Sequence, residues 1–136
     1  MQDSIERSIV INAPIDRVFQ GVISDFFKAW DGELITDTHG HFNFGEWGKS
    51  SVHLIAYQPP SYLAYRWVPG TIFEGDIYEK GCTLVEFRLT ESGGATTLVL
   101  KESGFASIPE ERYREAMDNN TAGWDEEIAN FAKLFE

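Results

Sequence analysis

Glu102 and Asn120 are the two polar residues that the sequence turns toward an apolar interior. Glu102 alternates in phase with Thr96, Leu98 and Leu100, and Asn120 falls inside the apolar stripe of the C-terminal segment. A carboxylate so placed must be hydrogen-bonded, paired or held neutral. Tyr113 could donate to it, whereas Arg66 and Arg88 face away by alternation. Left free, Glu102 has the chemistry of a general acid or base, with Asn120 or Tyr113 orienting a substrate. The competing expectation is that Glu102, near a strand end, reaches water. Asn120 must be satisfied by the protein, by water or by a ligand, because a buried unpaired amide is costly.

Other reactive residue types fall in weaker patterns. On a strand, His39 and His41 share a face, and His53 could join them, but no cysteine lies nearby to complete a ligand set. Surface or loop histidines are the default, and no metal and no cofactor are expected. Ser103 and Cys82 lie in no nucleophile motif such as G-x-S-x-G, and Cys82 reads as a small buried residue at a strand start. Gly93-Gly94 lacks the Lys-Ser/Thr and helix start of a phosphate loop and reads as a turn.

Aromatic residues are the more informative set. Trp30, Phe42, Phe44, Tyr65, Trp67, Phe87, Phe105 and Trp124 come from separate segments, and periodicity turns most of them inward. Any one of them is adequately explained as core filling. Together they exceed what a small core needs, so an aromatic-lined cavity is expected, walled by Trp30, Phe42, Phe44, Tyr65, Trp67, Phe87, Met117 and Trp124, with Glu102, Tyr113 and Asn120 as its polar groups.

The elements that must position these residues follow from periodicity. From Pro109 to Glu136 one long helix carries Tyr113, Met117, Trp124, Ile128, Phe131 and Phe135 on a single seam, with its charged residues opposite. Gly123, beside Trp124, suggests a close approach to another backbone. Ser4 to Asn12 alternates as a strand, interrupted at Arg7. Pro14 opens a short helix through Ile15, Val18, Phe19, Val22 and Ile23, and Ser24 or Asp25 is placed to cap a second through Phe26, Phe27 and Trp30. Segments near 41–47, 50–58, 62–68, 82–90 and 95–103 then read as strands, with hairpin turns at Pro59-Pro60 and Ser92-Gly93-Gly94. Residues 69–81 form another strand or a covering loop. The order predicts an α+β protein, a curved antiparallel sheet wrapped around the long C-terminal helix, with two short helices after the first strand.

Composition narrows the partners. With 136 residues, 43% of them hydrophobic, and no repeat, residues 1–136 read as a single folded domain. The net charge of −11, with 11 Lys and Arg unclustered, opposes nucleic acid and anionic membrane surfaces. One cysteine excludes an internal disulfide, the N-terminus lacks a secretory pattern, and a cytoplasmic protein is expected.

Several short motifs also occur in one order. They are Ile11-Asn12-Ala13-Pro14 before Val18; Gln58-Pro59-Pro60 with Leu63, Tyr65 and Trp67; Thr96, Leu98 and Leu100 before Ser103-Gly104-Phe105; and Gly123-Trp124. In these the chain resembles the START-like or SRPBCC helix-grip superfamily, and more closely its branch named for activators of the heat-shock-protein ATPase, with polyketide-cyclase-like relatives. It departs from that pattern at Glu102, where relatives often carry His, and at Trp30, a single Trp where many carry a pair. The resemblance implies a cavity between sheet and terminal helix, used by different members for hydrophobic ligands, cyclase-type chemistry or partner binding. The leading expectation is a domain binding a small hydrophobic molecule. A cyclase or hydrolase using Glu102 and a chaperone-interacting module are the alternatives, and a protein partner or homodimer stays open.

Overall fold

In the computed structural model, which describes residues 3–136, every strand pairs antiparallel in one seven-stranded sheet. The strands are β1 (Ser4–Ile11), β2 (Trp30–Asp31), β3 (Thr38–Asn43), β4 (Lys49–Gln58), β5 (Tyr62–Trp67), β6 (Thr83–Ser92) and β7 (Ala95–Ser103), and their spatial order is β1-β7-β6-β5-β4-β3-β2. The chain is therefore a meander whose first strand returns to pair with its last, Ile5 opposite Glu102 and Ile9 opposite Leu98. Gly93 and Gly94, with φ of 60° and 81°, form the two-residue turn between β6 and β7 that a right-handed hairpin twist requires.

Alternation decides which side chains enter the core. On β7 Thr96, Leu98, Leu100 and Glu102 are all buried, and on β6 Thr83, Val85, Phe87 and Leu89 are. Helix α1 (Ile15–Asp25) and the long helix α3 (Glu110–Lys133) cover this inner face, α3 through Ala116, Met117, Trp124, Ile128 and Phe131. This is the expected architecture of sheet and gripping helix. Arg7, which interrupts the apolar face of β1, reaches out to Asp125 of α3 with Nε 2.6 Å from the carboxylate. Both groups are partly exposed, so water screens the pair and it adds little to stability.

Local expectations differ in three places. The second short helix expected through Phe26, Phe27 and Trp30 does not form; the chain leaves α1 through turn bonds such as Trp30 N–H to Phe27 O, 3.0 Å, and Trp30 then pairs with Phe42 across β2 and β3. The strand expected over 41–47 begins earlier, at Thr38, and stops at Asn43, giving way to a 3-10 turn over Gly45–Trp47. Of the two readings open for residues 69–81, the covering loop is the one found, and it carries a four-residue helix, α2 (Ile77–Lys80), capped by the Asp76 carboxylate.

Gly123 is the third difference. A Cβ there would meet nothing within 4 Å, so no neighbouring backbone requires glycine. Close approach occurs instead at Gly21, where a Cβ would lie 2.8 Å from Phe135, and at Gly70, 2.9 Å from the Ala116 backbone. Gly123→Ala should therefore stabilise the protein by about 1 kcal/mol through helix propensity alone. A thermal melt with an unchanged or lowered midpoint would contradict that reading.

Candidate functional site

Glu102 is completely enclosed, and its two oxygens accept four hydrogen bonds. Oε1 takes Asn120 Nδ2 at 2.7 Å and Trp124 Nε1 at 2.7 Å, both from α3. Oε2 takes Trp67 Nε1 of β5 at 2.9 Å and the Thr83 hydroxyl of β6 at 2.5 Å. The register explains the convergence: Glu102 lies opposite Val85 on β6, Trp67 lies opposite Thr83, and all share the inner face. Three of the four donors are N–H groups that cannot accept, so the set is matched to the acceptor-only carboxylate. The group works as a polar bolt between three strands and α3. With its lone pairs taken, it has no acceptor left for a substrate proton.

Asn120 thus has its partner within the protein. Asn120→Leu should lower stability by about 1.5–3 kcal/mol, the usual worth of a hydrogen bond to a charged group. A variant as stable as the parent in urea would mean that the amide does not hold Glu102.

Beside this bolt, at the edge of the layer between sheet and α3, lies a slot of about 170 Å³ lined by Asp25, Phe26, Lys28, Ala29, Phe42, Phe44, Tyr65, Trp67, Trp124 and Glu127. Five of the expected wall residues, Phe42, Phe44, Tyr65, Trp67 and Trp124, meet there. The Trp67 and Trp124 rings pack at a centroid separation of 6.1 Å, and Phe42 meets both Tyr65 and Trp67 edge-on. The hydrogen bonds to Glu102 fix both indoles, so this part of the wall is preformed. Burial, with Glu102 and Glu127 adding to it, pushes the Tyr65 phenol well above its ordinary range. It therefore stays a neutral hydroxyl.

The other expected wall residues lie elsewhere. Phe87 and Met117 are core, Trp30 packs against Phe27 and Phe42 with its indole N–H on Glu33 O, and Tyr113 is packed partly buried against the core. Phe26, Asp25 and Glu127 also line the slot, although the sequence gives Asp25 and Phe26 only as parts of a second short helix and Glu127 only as part of the polar flank of the long one. Phe26 stands between Phe87 and Phe131, at centroid distances of 5.0 and 5.1 Å, once the turn after α1 replaces the expected helix.

A second recess, of about 370 Å³, opens on the outer face between His39, His41, Ser51, His53 and the 75–78 segment. His53 Nε2 lies 2.8 Å from Asp37 Oδ1, its Nδ1 meets the Tyr78 hydroxyl, and the His39 and His53 rings are 4.1 Å apart. Among the described residues no group of three or more His, Cys, Asp or Glu side chains is arranged to hold a metal ion. Cys82 is buried against Val68 and Ile77, and that burial pushes its thiol up, away from the reactive thiolate.

A seven-stranded antiparallel sheet closed over a long C-terminal helix, with an aromatic slot between them, defines a helix-grip domain. The chain belongs to the family described as activator of Hsp90 ATPase homolog 1-like protein, whose profile matches residues 12–136. No curated protein matches the sequence. Among solved structures it is similar to DynU16, a protein in the dynemicin biosynthetic locus (TM-score 0.75, 20% identity), covering 98% of this chain but only 47% of DynU16. It is also similar to protein MLL2253 from Mesorhizobium loti (TM-score 0.73, 19% identity, 96% and 95% of the two chains). The Aha1 dimer from Colwellia psychrerythraea shares the fold at a TM-score of 0.73 and 15% identity, over 99% and 97%. No helix among the described residues is long and apolar enough to cross a membrane.

Proposed function

We propose that the protein binds a small, largely apolar molecule in the slot between sheet and α3, with a single ring as the part enclosed. The observation that carries this reading is a cluster of aromatic faces left around open space, two of them indoles held in place from behind by Glu102. A dry cavity of about 150 Å³ is enough for benzene, so a slot of this size suits one ring with a short arm. The family's involvement with ligands and partners agrees with this but fixes no ligand.

Cyclase or hydrolase chemistry through Glu102 finds no support in the geometry, since the carboxylate is enclosed and a donor would have to be displaced before either oxygen could take a substrate proton. A docking module would need a broad apolar face on the sheet. The outer side of β3 and β4 instead carries His39, His41, Ser51 and His53, and Ile55 is the one exposed large hydrophobic on these two strands.

Filling the slot tests the proposal. Toluene titrated into the protein should bind saturably by saturation-transfer NMR, and Ala29→Leu, which places a branched side chain in the slot, should abolish that binding while the melting midpoint is retained. Toluene binding unaffected in a folded Ala29→Leu variant would refute the assignment.

A further inference from the structure

Two carboxylates stand at this aromatic slot, and neither has a cation. Asp25 Oδ2 is shut off from solvent and has no hydrogen-bond partner, and among the described residues neither Asp25 nor Glu127 has an ion-pair partner within 4.0 Å. Asp25 is also the last residue of α1, a helix with no basic residue in its last turn, so the helix's partial negative end adds to its own charge. A like charge faces it from α3: burial first, and then Asp25, push the Glu127 carboxyl above its ordinary value, with Lys28 opposing. Lys28 is exposed and flanks the slot without reaching ion-pair distance of either acid. An apolar pocket with two carboxylates, neither of them ion-paired and only Lys28 nearby, is an unfavourable arrangement for the empty protein. It becomes favourable once a cation enters.

Resting on the slot as the ligand site, we infer that its ligand is an organic cation, a protonated amine carried on one aromatic or alicyclic ring by a short arm. The ring would fill the space between Phe42, Tyr65, Trp67 and Trp124, and the ammonium would sit between Asp25 and Glu127. Aromatic faces add attraction to a cation that carboxylates alone would not give. The net charge of −11 draws cations to the surface and repels an acid of the same shape.

Three probes of one size test this at pH 7: benzylamine, toluene and benzoate. Benzylamine should bind about tenfold or more tighter than toluene, as one desolvated cation contact implies, and benzoate should be the weakest. Asp25→Asn and Glu127→Gln should each shrink the benzylamine preference over toluene severalfold, and Asp25→Asn should raise the melting midpoint of the empty protein. Benzylamine affinity should also climb as pH rises through the Glu127 titration, which burial and then Asp25 raise from its ordinary value. Asp25, Lys28, Glu126 and Tyr65 are the other titratable groups that face or influence that position. Equal binding of toluene and benzylamine, or a preference unmoved by both substitutions, would overturn the cation inference while leaving the slot as the site. Tightest binding of benzoate would overturn it in favour of Lys28 as the anchoring charge. Binding of none of the three would overturn the slot itself, and the inference with it.

Discussion

Glu102→Ala should lower stability by about 4 kcal/mol or more, because it strands four donors at once in a site with little access to water. Each orphaned buried donor costs about 1–3 kcal/mol, and water entering the space left by the side chain recovers only part of that. Against a total of about 5–15 kcal/mol for a domain of this kind, the variant should be marginal or unfolded at 25 °C. Glu102→Gln discriminates further, since it keeps the shape and converts one oxygen to an NH₂. The Thr83 hydroxyl can turn to accept from that group, and the Asn120 amide can flip to do so. Whichever oxygen is replaced, however, an indole N–H also faces it, from Trp67 or from Trp124, and an indole cannot accept. One N–H is always stranded, so urea denaturation should show a loss of about 1–3 kcal/mol. A Gln variant at least as stable as the parent would show that the four donors do not converge on this carboxylate.

Trp124→Ala is expected to cost about 3–5 kcal/mol, since it removes both a core ring and a donor to Glu102. The side chain is buried on α3, and its ring meets Phe26, Trp67 and Phe87. Trp124→Phe separates the contributions: packing is largely kept, and about 2 kcal/mol should remain as the cost of the missing hydrogen bond. Equal losses for the two variants would mean that the hydrogen bond, not the ring, carries the contribution. A loss below about 1 kcal/mol for the alanine variant would place the indole at the surface and contradict the phase of α3.

These expectations depend on how far a one-dimensional pattern reaches. Period-two alternation in β7 is enough to turn Glu102 inward, and helical phase is enough to put Asn120 and Trp124 on the buried stripe of α3. Their meeting is not legible, because it depends on strand register: Trp67 reaches Glu102 only when β6 lies between β5 and β7, and Thr83 only when it sits diagonally from Glu102. The slot shows the same division. Phe42, Tyr65 and Trp67 announce an inward aromatic surface through alternation. Asp25, Phe26 and Ala29 do not, because the turn after α1 has no period and its residues fit a second helix equally well. Glu127 belongs by phase to the polar flank of α3, and only the tertiary packing turns it toward Asp25. The available signal was Asp25 itself, an acid at the end of an amphipathic helix where a base is favoured.

The most direct test of the slot as a ligand site uses the four tryptophans as reporters. Trp67 and Trp124 line the slot, Trp30 packs beside Phe42, and Trp47 stands 75% exposed on the 3-10 turn. Their indole N–H signals in a ¹H–¹⁵N correlation spectrum can be followed as toluene is added. The slot predicts saturable shifts at Trp67 and Trp124, a smaller one at Trp30 and none at Trp47. Trp67 and Trp124 signals unmoved up to the solubility limit of toluene, or shifts confined to Trp47, would contradict it.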